Sequence, residues 1–293
     1  RSTNGNQVGS TCIFLQLAAV SPINTQVLCQ PATIPISISI KIKSTCSWRV
    51  SKSLTLLFDL SLVRGGRLGP KQEFGRQIVV TFPAELRDAV RQIVAEKGGF
   101  AIQSKLMSQH YRNGGGSNAA IDLNAYLVTR LPATYAAVAA CLADLPPEFA
   151  PHSMLDAGSG PGTASWAATE VFPSLAMVTF LDSNAKFLAL AKHLAMQSSR
   201  EALAKTIAIL GDLVSPPGNL QADLVVAAYA LAEMPISAAH KAATALWMTC
   251  NDMRVIVEPG TPGGFARINE ARSALIAAGA NIVAPCTHAN SCP

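Results

Sequence analysis

The sequence predicts a doubly wound, mostly parallel α/β sheet preceded by a small helical domain, and three observations carry that expectation. After Pro151, short apolar runs alternate with stretches of helical periodicity, the pattern of parallel strands joined by helical crossovers. The first apolar run ends in a glycine-rich turn, Gly158-Ser159-Gly160-Pro161-Gly162, that leads directly into a helical stretch. Of the 293 residues, 49% are hydrophobic and only 14% charged, against roughly 25% charged in ordinary soluble domains. A sheet covered on both faces by alanine-rich helices fits that balance.

Residues 1–76 lack helical periodicity, are rich in Ser, Thr, Pro and Ile, and carry no charge from Ser2 to Ile40. They are expected to be an unassigned, disordered or non-native extension; an acid-poor, Ser-rich composition resembles a transit peptide, but the alternating run from Ile34 to Ile40 reads as a strand and not as an amphipathic helix. Residues 77–150 form the expected helical domain. Leu86, Val90, Ile93 and Val94 recur at helical spacing between Pro83 and the Gly98-Gly99 stop. Further helices are expected over Phe100 to Tyr111, Asn118 to Thr129 and Pro132 to Leu145, with Pro146-Pro147 closing the domain. Residues 151–293 supply the sheet. Its expected strands are Ser153 to Ala157, Met177 to Asp182, Thr206 to Leu210, Asp223 to Tyr229, Arg254 to Glu258 and Asn281 to Ala284, with helices beginning at Thr163, Asn184, Ser237 and Pro262.

Charge is unevenly divided. Residues 1–72 hold 8 Lys or Arg and one acid, Asp59, for a net +7, whereas residues 73–293 hold 15 basic and 17 acidic residues, for −2. The body is therefore not a basic nucleic-acid glove, and any RNA contact must come from local patches. No stretch reaches the roughly 18 consecutive apolar residues of a membrane helix; the best N-terminal candidate, Cys12 to Val20, spans nine residues and contains Gln16. No membrane partner is expected. The seven cysteines are an odd number, which argues against a secreted disulfide framework in a chain of this length. The chain opens on Arg1, without an initiator Met, and closes on Cys292-Pro293, so a fragment truncated at its C-terminus is expected.

The first strand ends in Asp156-Ala157-Gly158-Ser159-Gly160-Pro161-Gly162. Glycines at every second position let the backbone turn tightly and approach a ligand, whose polar groups then meet amides at a helix N-terminus. A dinucleotide fingerprint requires a further glycine three residues after Gly160, where Thr163 stands. The segment instead resembles the glycine motif of class I S-adenosylmethionine-dependent methyltransferases. That resemblance implies S-adenosylmethionine as cofactor, with Asp156, Gly158, Gly160 and Gly162 at its amino-acid end. It also implies Asp182, 24 residues after Gly158, on the ribose hydroxyls and Asp212 beside the adenine. Tyr229, at the end of the fourth strand, reads either as lining the same pocket or as a packing residue. A carboxylate suits such places because vicinal hydroxyls and an exocyclic amine are donors it can accept.

The transfer chemistry is less defined. Methylation of an exocyclic amine usually uses an Asn or Asp-Pro-Pro-aromatic loop after the fourth strand, where this chain reads Tyr229-Ala230-Leu231-Ala232-Glu233-Met234-Pro235. Methylation at cytosine C5 needs a cysteine nucleophile, and Cys250 precedes the fifth strand as a buried packing residue. His152 and His240 read as surface residues, and Arg267 and Arg272 as solvated helix residues with a possible reach to phosphate. No catalytic residue is assigned.

A broader resemblance runs from about Phe82 to Pro293. Arg130-Leu131-Pro132-Ala133-Thr134-Tyr135, Leu155 to Thr163, Asp223 to Glu233, and Val257-Glu258-Pro259-Gly260-Thr261-Pro262 leading to Ala284-Pro285-Cys286-Thr287-His288 resemble the methyltransferase-like family of small-ribosomal-subunit assembly proteins of bacteria and mitochondria. The resemblance implies the small ribosomal subunit as partner and ribosomal RNA as any methyl acceptor. It also implies a 4Fe-4S cluster in the complete protein, with Cys286 and Cys292, five residues between them, as two of its four ligands. The compact body points to a bacterial cytoplasmic member, with a mitochondrial one as the alternative. A non-catalytic assembly factor and a small-molecule methyltransferase are the rival functions. In methyltransferases of this class a last strand enters between the fifth and sixth, antiparallel to both; no segment is left to supply it, so an exposed sheet edge is expected.

Overall fold

The computed structural model describes residues 12–20, 38–42, 55–56, 82–95, 123–284 and 288–290. The helices expected over Phe100 to Tyr111 and from Asn118, together with Cys286 and Cys292, lie wholly or partly outside these residues.

Strands β1 (Cys12–Val20), β2 (Ile38–Ile42) and β3 (Thr55–Leu56) precede helices α1 (Ala84–Ala95), α2 (Leu123–Thr129) and α3 (Leu131–Ala143). The remainder alternates: β4 (Ser153–Ala157), α4 (Thr163–Val171), β5 (Met177–Asp182), α5 (Ala185–Ala195), α6 (Glu201–Ala204), β6 (Ile207–Leu210) and β7 (Ala222–Ala228). A 3-10 turn (Leu231–Glu233), α7 (Ile236–Trp247), β8 (Cys250–Pro259), α8 (Pro262–Ala277) and β9 (Asn281–Ala284) complete it. Three of the six expected strands have the expected bounds, because each is a continuous apolar run closed by polar or glycine punctuation. β8 extends four residues earlier than its apolar core, to Cys250, which pairs with Ala222; Asn251 and Asp252, both exposed, lie at a register shift before Met253 pairs with Leu224. The short α6 and the 3-10 turn carry too few residues for a periodic signal.

The strand order is β3-β2-β1-β8-β7-β4-β5-β6, with β9 pairing the outer edge of β1. Strands β4, β5, β6, β7 and β8 are mutually parallel. The slot between the fifth and sixth strands of the alternating region, expected to stand empty, holds β1. Cys12 to Ala18 pair in parallel with Met253 to Pro259 on one side, while Cys12 to Phe14 pair with β9 on the other. This corrects the expectation of an exposed edge there. The occupant is parallel to its neighbours and comes from the N-terminal end, where the apolar run Cys12 to Val20 is long enough for a central strand. β2 then continues antiparallel from the end of β1.

Both faces of the sheet are covered, and the alternation of side chains decides which residue serves which layer. On one face Met154, Phe180, Leu224, Val226, Val255 and Val257 join α1, α3, α4 and α5 in a cluster that includes Trp166 and Tyr135. On the other, Leu155, Leu181, Val225, Ala227 and Ile256 pack against α7 and α8. Helix α3 is apolar all round because it is a core element: all its residues but Thr134 and Ala143 are buried. Among the described residues no single helix is long and apolar enough to cross a membrane.

Candidate functional site

Where β4 meets its neighbours β5 and β7 the chain order reverses, and this is the place where an open parallel sheet leaves a crevice beyond the carboxyl ends of its strands. The glycine turn occupies it. Gly158, Gly160 and Gly162 all have positive φ, at 74°, 51° and 79°, a conformation that costs other L-residues about 1–2 kcal/mol each. The outer two are also hemmed in: a Cβ on Gly158 would stand 2.5 Å from the Ala230 Cβ, and one on Gly162 would stand 2.9 Å from the Phe180 ring. Gly160 is different, since a Cβ there would meet only the Tyr126 hydroxyl, at 3.8 Å. It is the glycine that faces the crevice.

The turn is held by hydrogen bonds that the two expected acids share out. Asp156, almost fully buried, accepts from both the Ser165 amide at 3.0 Å and the Ser165 hydroxyl at 2.8 Å, fastening the end of β4 to the first turn of α4. Burial, offset in part by those two bonds, pushes its carboxyl up to about 7. Asp182 accepts from the Gly160 amide at 2.8 Å with one oxygen and from the Asn184 amide at 2.8 Å with the other. It therefore shapes the turn as well as edging the crevice, and burial raises its pKa against those bonds. The Ser183 amide adds a third bond to this carboxylate, which with about four acceptor sites keeps capacity for a ligand hydroxyl. Asp212 stands after β6, where its Oδ1 accepts from the Val214 amide at 2.9 Å.

Tyr229 closes the end of β7 in the left-handed region, at φ 61°, which is costly for a bulky residue and marks a site fixed by its surroundings. Its amide donates to the Val257 carbonyl at 2.7 Å. The ring packs against the core, and its hydroxyl is buried without a hydrogen-bond partner. Burial raises its pKa, with Cys141 and Glu258 adding to the rise and Arg130 opposing it. Glu258, at the end of β8, is fully buried; its Oε1 accepts from the Leu231 amide at 2.9 Å and so anchors the 3-10 turn that follows Tyr229. Burial pushes this carboxyl up to about 8, and its Oε2 has no partner.

Two further hydroxyls carry no sequence signal of a site role. Ser159 Oγ and Thr163 Oγ1, within and just after the glycine turn, are buried and without hydrogen-bond partners. Unsatisfied buried hydroxyls cost about 1–3 kcal/mol each; a polar ligand seated on the turn would relieve that cost, so the turn fits a small polar cofactor such as the amino-acid end of a nucleoside sulfonium. Tyr126 on α2 was likewise invisible, because nothing in a helical pattern tells which loop its face will cover.

Other candidates lie away from this crevice. Cys250 opens β8 at the opposite, amino edge of the sheet, and burial pushes its thiol up to about 11, the reverse of what a nucleophile needs. His240 pairs with Glu270 at 2.7 Å on exposed surface between α7 and α8, and His152 precedes β4 at the amino edge. Arg267 donates from Nε and Nη2 to the Met234 carbonyl and from Nη1 to that of Gly263, and Arg272 donates to the His288 carbonyl; both fasten α8 rather than project as solvated residues. A cleft of about 460 Å³ at the amino edge includes Thr169, Phe172 and Arg200 in its lining, but the Arg200 guanidinium is already bound to Glu170 and to the Thr169 carbonyl. Among the described residues no group of three or more His, Cys, Asp or Glu side chains is placed to hold a metal ion.

Comparison with known proteins bears on this site. Residues 120–293 match a family model described as mitochondrial small ribosomal subunit Rsm22. The chain is 28% identical over 183 residues to "Ribosome assembly protein METTL17, mitochondrial" from Homo sapiens; the match covers 57% of this chain and 40% of that protein, so the chain spans 40% of the length of the curated relative it matches. Among solved structures, it resembles the glycopeptide N-methyltransferase MtfA complexed with (S)-adenosyl-L-methionine, at 12% identity and TM-score 0.34, over 40% of this chain and 50% of that one. It also resembles human N-acetylserotonin methyltransferase in complex with SAM, at 20% identity and TM-score 0.36, over 61% of this chain and 46% of that one.

Proposed function

The chain belongs to the mitochondrial small ribosomal subunit Rsm22 family, and from that premise we propose that it binds S-adenosylmethionine at the glycine turn and acts in assembly of the small ribosomal subunit, with ribosomal RNA as any methyl acceptor. The observation that carries the donor half is the glycine turn at the point of strand-order reversal, with two buried, unsatisfied hydroxyls, Ser159 and Thr163. Family membership and the name of the human relative support the ribosomal half. In this reading Gly158, Gly160 and Gly162 shape the seat, and Ser159 and Thr163 supply hydrogen bonds to it. Asp182 receives ribose hydroxyls on its remaining lone pairs, Asp212 borders the adenine, and Tyr229 fixes the far wall through its backbone. Asp156 positions the turn through Ser165 and stays out of the seat. The cofactor would supply a methyl group activated on a sulfonium sulfur. Both names favour the mitochondrion over the bacterial cytoplasm as the compartment.

The iron–sulfur role of Cys286 and Cys292 is part of the same proposal. A four-iron cluster takes four thiolates; these two cysteines would supply a pair, and the buried thiols of Cys141 and Cys250, both pushed up by burial, are unsuited to complete it. In the complete protein, carrying all four ligands, Cys286→Ser and Cys292→Ser should each lower iron content after anaerobic reconstitution.

A second reading, a binding factor without catalysis, is favoured by the loop after β7. Tyr229 to Pro235 carries no amide-Pro-Pro-aromatic segment, and its backbone is held by Glu258 and Arg267. One experiment separates the readings: the protein is mixed with small subunits from cells lacking it and with radiolabelled S-adenosylmethionine, then sedimented through a sucrose gradient. Label in the RNA supports catalysis, co-migration without label supports the binding factor, and protein left at the top of the gradient sinks the ribosomal assignment.

A further inference from the structure

The amino edge of the sheet, opposite the glycine turn, carries an elongated groove that methyl-donor binding does not use. Its first part is a pocket of about 310 Å³ where the end of α3, the loop 145–150 and the end of α4 meet. Leu142, Leu145 and Phe172 are buried beneath it, whereas Pro147 and Ala150 stand exposed at its rim. Phe149 meets Phe172 edge-on, with ring centroids 5.5 Å apart, so an aromatic pair fixes the shape of the pocket. Among the described residues no charged side chain lines it. Phe172 and Pro173 are shared with the cleft of about 460 Å³ that Arg200, Glu201 and Lys205 line, so the two form one groove, apolar at one end and polar at the other. An apolar pocket open at the surface and rimmed by polar residues is the form of a protein-binding site.

Charge decides what this groove can take. The three segments that line it, 142–150, 169–176 and 200–205, hold four acids and two cations. Both cations are engaged: Arg200 pairs with Glu170 at 2.7 Å and donates to the Thr169 carbonyl, and Lys205 pairs with Glu201. Asp144 and Glu148, exposed on the segment that walls the apolar pocket, have no ion-pair partner among the described residues. A nucleic-acid backbone would meet a net negative rim whose cations are already paired. A basic polypeptide would meet complementary charge. We infer that the groove docks a Lys- or Arg-rich protein segment of the small ribosomal subunit, with one apolar side chain in the pocket beside Phe149 and Phe172 and basic residues against Asp144 and Glu148. The desolvated anchor supplies the affinity, and the rim acids select the partner. The inference rests on the ribosomal reading and adds to it a protein contact on the edge of the sheet opposite the donor seat.

The test is photo-crosslinking. The full chain carries p-benzoylphenylalanine in place of Ala150, at the rim of the pocket; it is bound to purified small subunits from cells lacking the protein, irradiated, and the adduct is mapped by mass spectrometry. The expected adduct is to a ribosomal protein, in a segment with Lys or Arg beside a large apolar residue. Asp144→Lys combined with Glu148→Lys should lower its yield about fivefold or more, and Asp144→Asn combined with Glu148→Gln by less. All these changes are at exposed positions, so the melting temperature should stay at that of the parent chain. An adduct to RNA alone, no adduct on subunits that the protein occupies, or a yield indifferent to charge reversal overturns the groove assignment. Protein that never co-sediments with the subunit would instead remove the ribosomal reading itself.

Discussion

Glu258 and Asp156 are the residues whose chemistry departs furthest from their sequence appearance. Both are carboxyls buried at the carboxyl edge of the sheet, and burial raises both, to about 8 and about 7. A carboxyl whose pKa is higher folded than unfolded favours the folded state below its ordinary value near 4.5 and loses that contribution as pH rises through the folded value. Stability should therefore fall between about pH 5 and pH 8. Glu258→Gln keeps an oxygen for the Leu231 amide but cannot ionise, so its melting temperature should gain on wild type steadily across that window, by a few kcal/mol equivalent at the upper end. A constant difference from pH 5 to pH 8 would mean that Glu258 does not titrate there. The sequence placed an acid at the end of β8, but whether that acid faced solvent or was closed in by the 3-10 turn depends on a chain reversal that no local pattern encodes.

The glycine turn is the element on which the site depends, and its three glycines are not equivalent. Gly158→Ala and Gly162→Ala each combine left-handed strain with a contact under 3.0 Å, so each should destabilise the protein by about 2–4 kcal/mol. Gly160→Ala carries the strain without the clash; it should cost about 1–2 kcal/mol yet weaken S-adenosylmethionine binding most per unit of stability lost. Thermal melts and titrations of the three variants check the ordering, and equal losses of stability would contradict it. The motif itself was legible because spacing dictates it, and so was the acid at the end of β5. Its support was not: Ser165 on Asp156, and Tyr126 over Gly160, come from segments 9 and 34 residues away along the chain.

For the whole molecule, the parallel sheet and its helical crossovers followed from alternating apolar runs, whereas the ninth-strand architecture did not. An isolated apolar run such as Cys12 to Val20 gives no clue to its partners, and a strand between β8 and β9 has its sequence neighbours far away. Its central position carries a consequence. Leu15→Pro would remove a ladder hydrogen bond in a strand paired along both edges at its start and with β8 from Cys12 to Ala18, and should lower the melting temperature by several degrees. An unchanged melt would show that β1 contributes nothing to the sheet. The α2–α3 bend unites these scales, since α3 is locked into the core while Tyr126 of α2 lies over Gly160.

The most direct test of the account is hydrogen–deuterium exchange of the full chain with and without S-adenosylmethionine. Slower exchange confined to 123–129, 158–165, 182–184 and 229–233 is the predicted result, because the proposed donor seat lies on the glycine turn between the ends of β5 and β7, with Tyr126 above Gly160. Protection centred instead on 169–176 and 200–205, or none anywhere at saturating ligand, would contradict it.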